Sequence, residues 1–137
     1  MSCVNMCAQN DVIIQGSTPT LILHLDYDIS SPQTEEEAEN KDSYEVDVVI
    51  KYGLNDYLHF NNPNDYNIFP DEVNEETCGC QCGCGCTIYL DLTQKDTIKF
   101  RKQIQVQVKA KNMNSGALLQ TFEVPIDICR SLDRRGM

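Results

Sequence analysis

The residues best suited to chemistry are five cysteines that alternate with other residues in "CGCQCGCGC", residues 78–86. In a β-strand, residues two apart share a face and lie roughly 6.6 Å apart. This geometry disfavours a disulfide between neighbours in the row, because their side chains run parallel and are too far apart. Three interpretations stay open: structural thiols or later cross-links, a metal site, or a redox segment. The five residues are Cys78, Cys80, Cys82, Cys84 and Cys86.

A metal site would require the cysteine segment to be a loop. The glycines would then let C-x-C pairs curl around a soft ion such as Zn²⁺ or Cu⁺. The spacing is not specific, since zinc sites usually use C-x₂₋₄-C, and the nearest histidine along the chain is His59. We expect no cofactor, with zinc held by the five cysteines as the alternative.

The structural interpretation treats the cysteine row as the start of a strand. The same parity continues through Ile88, Leu90 and Leu92, so Cys86 should face the core as a small apolar side chain. The intervening glycines would allow another backbone to approach closely. Any disulfide must then go to another part of the chain or to a neighbouring subunit, and a reducing cytosol would suppress it. The candidate partners within the chain are Cys3, Cys7 and Cys129.

Strands must position these cysteines, because apolar and polar residues alternate through most of the chain. In "KQIQVQVKAK", residues 102–111, the even positions are apolar and the odd positions form a wet face. Segments 20–27 and 44–52 alternate in the same way, which places Tyr27 on a buried face. Along 118–128, Pro125 predicts an edge or an interruption. The residues expected on the buried face there are Leu118, Phe122, Val124, Ile126 and Ile128.

About seven strands joined by short loops predict an all-β fold, an immunoglobulin-like antiparallel β-sandwich. One short helical turn is predicted near residues 93–98, with Thr93 as N-cap and Asp96 completing a capping box. The length suits a single domain over residues 1–137. Its expected parts are an N-terminal arm (1–10), an acidic loop (30–42), a Cys-rich hairpin segment (75–86) and a polar tail (130–137).

The charge of the chain argues against nucleic acid as a partner. Eleven basic and 21 acidic residues give a net charge of −10, whereas phosphate binding relies on clustered Lys and Arg. Neither a spanning apolar run nor a signal sequence is evident, so we expect cytoplasmic synthesis and no membrane partner. Acids concentrate in residues 28–47 and bases in 95–111. These are either two solvated faces or complementary faces through which neighbouring copies meet.

Enzymatic motifs are missing from the sequence. His24 and His59 are too separated to suggest a catalytic pair, and no phosphate loop, G-x-S-x-G or H-E-x-x-H is present. We therefore expect a protein that is not an enzyme and has no catalytic residues. A carbohydrate-binding or adhesion sandwich stays an alternative, with Tyr57, Phe60 and Tyr66 as candidate stacking residues.

Three blocks resemble small structural proteins of tailed bacteriophages and prophages of gut Firmicutes: "QGSTPTLILHLDYDIS", "IYLDLTQKDTIKF" and "RKQIQVQVKAKNMNSGALLQTFEVPIDI". The resemblance covers about two-thirds of the chain, and the cysteine run replaces an ordinary hairpin of the relatives. It implies a virion component made in the host bacterial cytoplasm, placed in head decoration, connector, tail or baseplate. Its partners would be other virion proteins or copies of itself. We expect the wet face of 102–111 to be the assembly face: Gln103, Gln105, Gln107, Lys109 and Lys111.

Overall fold

A computed structural model describes residues 2–32, 34–70 and 85–130, which form two packed β-sheets and two short helices. The predicted β-sandwich and the predicted helical turn are confirmed. The strands are β1 (Ser2–Val4), β2 (Met6–Ala8), β3 (Val12–Ile14), β4 (Thr20–Leu25), β5 (Tyr44–Lys51), β6 (Tyr57–Phe60), β7 (Tyr66–Pro70), β8 (Cys86–Asp91), β9 (Gln103–Asn112), β10 (Leu118–Thr121) and β11 (Val124–Cys129), and the helices are α1 (Glu35–Asn40) and α2 (Gln94–Thr97).

The larger sheet is organised around β9, its longest strand. Along one edge of β9, β5 pairs in antiparallel register from Tyr44 opposite Asn112 to Lys51 opposite Gln105, and β6 lies beyond β5. Along the other edge, β10 pairs with the C-terminal half of β9 and β11 with the N-terminal half. Strands β1 and β3 add in parallel to β10 and β11 respectively. The sheet is therefore five strand positions wide.

The smaller sheet has the antiparallel order β2-β4-β8-β7. The segment expected as an N-terminal arm contributes a strand to each sheet, because β1 lies in the larger sheet and β2 in the smaller one. Strand β3, which follows this segment, lies in the larger sheet again. At the crossing between β1 and β2, the Asn5 N–H donates to Asp26 Oδ1 and the Asp26 N–H donates to the Asn5 carbonyl, both at 3.1 Å. Strands β1, β2 and β3 therefore connect the two sheets at one side of the sandwich.

The core lies between the sheets and follows the predicted alternation. Even-numbered residues of β9, odd-numbered residues of β4 and even-numbered residues of β8 are buried, and Cys86 belongs to the same buried row as Ile88 and Leu90. Phe100, just after α2, is fully buried and its ring centroid lies 6.0 Å from that of Tyr52. Each such large apolar side chain contributes about 1.5–3 kcal/mol through burial.

The buried face predicted along 118–128 is wrong for its first half. Leu118 and Phe122 are 55% and 54% exposed, whereas Ile126 is buried as expected. The reason is a β-bulge between β10 and β11, where the three residues 121–123 lie opposite the two residues 107–108 of β9. One extra residue reverses the side-chain parity of the strand. Alternation counted straight through the bulge therefore assigns the wrong face.

More strands are present in the described ranges than the seven or so predicted. Strands β1 and β2 have three residues each, which is too short for periodicity to be visible. Strands β6 and β7 lie in the turn-rich stretch, around a turn closed by the Asp65 N–H and the Asn62 carbonyl. Tyr27, predicted to face inward, is 46% exposed because β4 ends at Leu25.

Both helices are short and are fixed by local polar contacts. Lys41, just after α1, lies 3.0 Å from Asp28 Oδ2 and donates at 2.6 Å to Ser30 Oγ, which anchors the acidic segment to the end of β4. At α2, Thr93 and Asp96 form the predicted capping box. In the part of the chain that is described, no helix is long and apolar enough to cross a membrane.

Candidate functional site

The outer face of the larger sheet brings together charges that are far apart in the sequence. Glu45 of β5 lies directly opposite Lys111 of β9, and Asp47 lies opposite Lys109. Cross-strand neighbours of this kind have Cβ atoms about 4.5–5.5 Å apart. The acidic and basic stretches of the sequence are thus partly side by side on one face. An acidic column on β5 runs parallel to a basic column on β9.

The predicted assembly-face glutamines lie on the same outer side and are held by hydrogen bonds. Gln103 Nε2 donates to Asp127 Oδ1 at 3.0 Å, and Gln105 Nε2 donates to Gln103 Oε1 at 3.1 Å. Gln107 Nε2 donates to the Thr121 carbonyl at 3.1 Å, next to the bulge. These bonds fix the direction of side chains that would otherwise sample many rotamers. The five predicted residues therefore share one face, which is polar and largely preorganised.

A shallow groove of about 480 Å³ crosses the charged columns. This volume is within the range of ligand pockets, about 300–1,000 Å³. Two carboxylates and two ammonium groups line it, and the exposed Leu118 supplies an apolar wall. Sequence reasoning missed Leu118 because it counted alternation across the bulge. The lining includes Glu45, Asp47, Lys109, Lys111, Leu118 and Gln120.

Asp47 has an unused acceptor on this face. Its Oδ2 lies 3.0 Å from His59 Nδ1, while its Oδ1 is buried and has no hydrogen-bond partner among the described residues. Burial raises the pKa of the neighbouring Tyr66, and the carboxylates of Asp65, Asp47 and Glu45 raise it further.

A tyrosine pair lies at the end of β5 next to the groove. The hydroxyl oxygens of Tyr27 and Tyr44 are 3.1 Å apart, and burial followed by this hydrogen bond raises the pKa of Tyr44 to about 12. Nearby, Asn112 and Asn114 donate to Asp42 at 2.8 Å and 2.7 Å and lower its pKa. The adjoining cleft is only about 170 Å³, so we assign these groups to fixing the β9–β10 turn.

The cysteines fall into three groups. Cys86 is buried and its thiol donates to the Tyr27 carbonyl at 3.4 Å, while Cys129 is an exposed thiol at the end of β11. Cys7 of β2 is disulfide-bonded, and the pairing sulfur lies outside the described side chains. Over the described ranges, no group of three His, Cys, Asp or Glu side chains could hold a metal. Outside the description lie Cys78, Cys80, Cys82, Cys84 and the side chain of Cys3.

The candidate stacking aromatics do not form one platform. Tyr57 is on the outer face of β6 beneath Lys51, whose Nζ lies 5.9 Å from the ring centroid. Phe60 and Tyr66 pack against the core instead, and the Tyr66 hydroxyl donates to the Val46 carbonyl. These three residues are thus divided between the outside and the inside of the sandwich.

The two histidines are far apart in the fold as well. His24 lies on the outer face of the smaller sheet, where its Nδ1 is 3.1 Å from Thr87 Oγ1 and its Nε2 is 3.2 Å from Gln9 Oε1. His59 lies on the outer face of the larger sheet beside Asp47. Each ring is engaged by polar neighbours of its own sheet.

Comparison with known proteins shows only weak structural similarity. No protein-family model matches the chain, and no curated protein gives a significant match. Among solved structures, the chain is similar to AggA, the major subunit of aggregative adherence fimbriae type I from Escherichia coli. The identity is 10%, the TM-score is 0.37, and the match covers 93% of this chain and 94% of that chain.

Proposed function

We propose that the protein is a structural or assembly subunit of a tailed-bacteriophage particle. It acts through contacts with other virion proteins or with copies of itself, and it catalyses no reaction. It is made in the cytoplasm of the host bacterium and becomes part of the virion, in the head decoration, the connector, or the tail and baseplate. The phage assignment rests on the sequence resemblance, and the mode of action rests on the outer face of the larger sheet.

The observation that carries this proposal is the combination of fixed polar rows and exposed apolar side chains on that face. Val12 and Ile14 of β3 are 52% and 55% exposed, and Leu118 is exposed beside the charged groove. Protein interfaces combine apolar contacts with polar ones, and here exposed apolar side chains lie at both ends of a polar face. Preorganised side chains lose less entropy when a partner binds.

The extent of the face fits a protein partner. Strand β9 has ten residues, which at ~3.3 Å each gives a length of about 33 Å. Five strand positions at ~4.8 Å give a width of about 24 Å. The resulting rectangle of about 800 Å² is an upper bound, because β1, β3 and β6 are shorter than β9. It is of the same order as the ~800 Å² that one partner of a standard stable interface contributes.

The test is whether the protein is part of the particle. Phage particles from the parent bacterium would be induced, purified by density-gradient centrifugation and analysed by mass spectrometry. We expect this polypeptide to band with the particles in a fixed ratio to the other virion proteins. If banded particles lack it while the cell lysate contains it, the virion assignment is wrong.

A further inference from the structure

The two charged columns on the outer face of the larger sheet have a symmetry property of their own. The acids Glu45 and Asp47 are on β5, the bases Lys109 and Lys111 are on the neighbouring β9, and each acid is level with one base. Consider a two-fold axis that lies above this face, parallel to the strands and midway between the columns. Rotation about it puts the acidic column of a second copy over the basic column of the first.

Only one orientation of the two-fold axis produces this match. If the axis lies in the plane of the face but perpendicular to the strands, each column meets the column of the same sign, and like charges oppose one another. Rotation about the axis parallel to the strands also leaves every residue at the same position along the strand direction. Glu45 therefore lies over Lys111 of the second copy, and Asp47 lies over Lys109. The charge pattern therefore favours one arrangement of two copies and disfavours the alternative.

We propose that this outer face is a self-complementary contact through which two copies of the chain pair face to face. The inference rests on the proposed function and names the partner at this face as a second copy. In this arrangement Lys109 of the second copy lies over Asp47 of the first, in the groove that the two charged columns line. The exposed Leu118 of each copy flanks the charged columns and becomes covered.

The pairing also resolves a problem posed by the overall charge. Two copies that each carry a net charge of −10 repel one another, and a local surface of mixed sign reduces this repulsion at the place of contact. Lys109 and Lys111 provide two of the chain's eleven basic residues at this face. Opposite-sign columns thus direct one copy onto this face of the other and away from its acidic surfaces.

The test uses charge reversal on one column at a time. E45K/D47K makes both columns basic, and K109E/K111E makes both columns acidic. At 0.15 M salt we expect the natural protein to sediment as a dimer in analytical ultracentrifugation and each variant to dissociate at least about tenfold more readily. An equimolar mixture of the two variants should restore a dimer, because the two basic columns of one variant meet the two acidic columns of the other.

Two further variants separate this effect from damage to the fold. The quadruple reversal E45K/D47K/K109E/K111E restores opposite charges both within a copy and between copies, so it should dimerise like the natural protein. E39K/D91K changes the net charge by as much as E45K/D47K but lies in α1 and β8, so it should leave the dimer intact. Circular dichroism of every variant checks that the sandwich has formed.

The outcomes also separate this inference from the proposed function. A natural protein that is monomeric up to about 1 mM, or variants whose mixture stays monomeric while folded, would overturn the face-to-face pairing. If the polypeptide is nevertheless found in purified particles, its virion role stands and another surface makes the contact. A dimer with the expected variant pattern, formed by a polypeptide that the particles lack, would support the contact and remove the virion role.

Discussion

Gly85 provides the sharpest test of how closely the chain that follows β4 packs against the start of β8, the neighbouring strand of the smaller sheet. A Cβ atom built on Gly85 would lie 2.6 Å from the Tyr27 Cα, and closer still to the Tyr27 N and C atoms. The Gly85 N–H also donates to the Leu25 carbonyl at 2.9 Å. Gly85 is the one glycine of the cysteine run that the structure describes, and at this position the expected close approach of another backbone is found. We therefore expect Gly85→Ala to be strongly destabilising.

The magnitude follows from the displacement that the added methyl group requires. Ordinary contacts begin at 3.4 Å, so the Tyr27 backbone must move by about 0.8 Å or more. Overpacking costs about 1–3 kcal/mol, and weakening the hydrogen bond to Leu25 adds about 1 kcal/mol. The free energy of unfolding should fall by about 2–4 kcal/mol. For a chain of this length that corresponds to a decrease in Tm of about 8–15 °C.

The assay is urea unfolding followed by circular dichroism, with the Tm measured by calorimetry without reductant, so that the disulfide of Cys7 stays intact. Gly53→Ala is the matched control, because its added Cβ would meet no backbone atom of another residue within 3.2 Å. The Asp56 carboxylate can rotate away, and the Asp56 Cβ at 3.2 Å needs to move by only a few tenths of an ångström. We expect this control to change the free energy of unfolding by less than about 0.5 kcal/mol. Equal stability of the two variants would refute the tight approach of Gly85 to Tyr27.

Three further perturbations test individual contacts. Lys41→Met removes the ion pair with Asp28 and should lower the free energy of unfolding by about 1 kcal/mol, measured by urea titration. Thr121→Val removes the acceptor of the Val108 N–H at the bulge, so the unpaired donor should cost about 1–3 kcal/mol in the same assay. Tyr44 should ionise near pH 12 in an ultraviolet titration. Because its folded pKa is raised, its contribution to stability is complete below pH ~10 and is lost as the pH rises towards 12.

Each of these perturbations has a control or a contrary outcome. Lys99→Met and Thr18→Val change exposed side chains of the same types and should leave the stability within about 0.5 kcal/mol. A Thr121→Val variant as stable as Thr18→Val would mean that the Val108 N–H finds another acceptor. Tyr44 ionising at its ordinary pH of about 10 would contradict its burial beside Tyr27.

The type of each of these elements and the side that it buries are determined by local features of the sequence. Strict alternation identifies β9 and its wet face, because a half-buried strand needs one apolar and one polar side. The row of Cys86, Ile88 and Leu90 identifies the buried side of β8 for the same reason. The capping box of α2 spans only three residues, so Thr93 and Asp96 suffice to predict it.

The five residues predicted as an assembly face lie on one side of β9, yet their cross-strand neighbours could not be predicted. Which strand lies beside β9 depends on pairing between residues that are some sixty positions apart, such as Glu45 and Lys111. Periodicity fixes the face of a side chain but carries no information about its cross-strand partner. The charged groove, with Leu118 as its apolar wall, could therefore not be predicted without the register of β5 and β10 against β9.

The sequence by itself determined that the chain is built of strands with one solvent-facing side and one buried side, because the alternation of polar and apolar residues is visible in neighbouring positions. The tertiary structure alone decided the bulge at 121–123, which exposes Leu118, and the pairing of the acidic strand with the basic one. A bulge forms where one strand has one residue more than the strand paired with it, and a cross-strand charge pair forms where an acid of one strand lies opposite a base of the other. Both are properties of register, which is set when distant segments pack together.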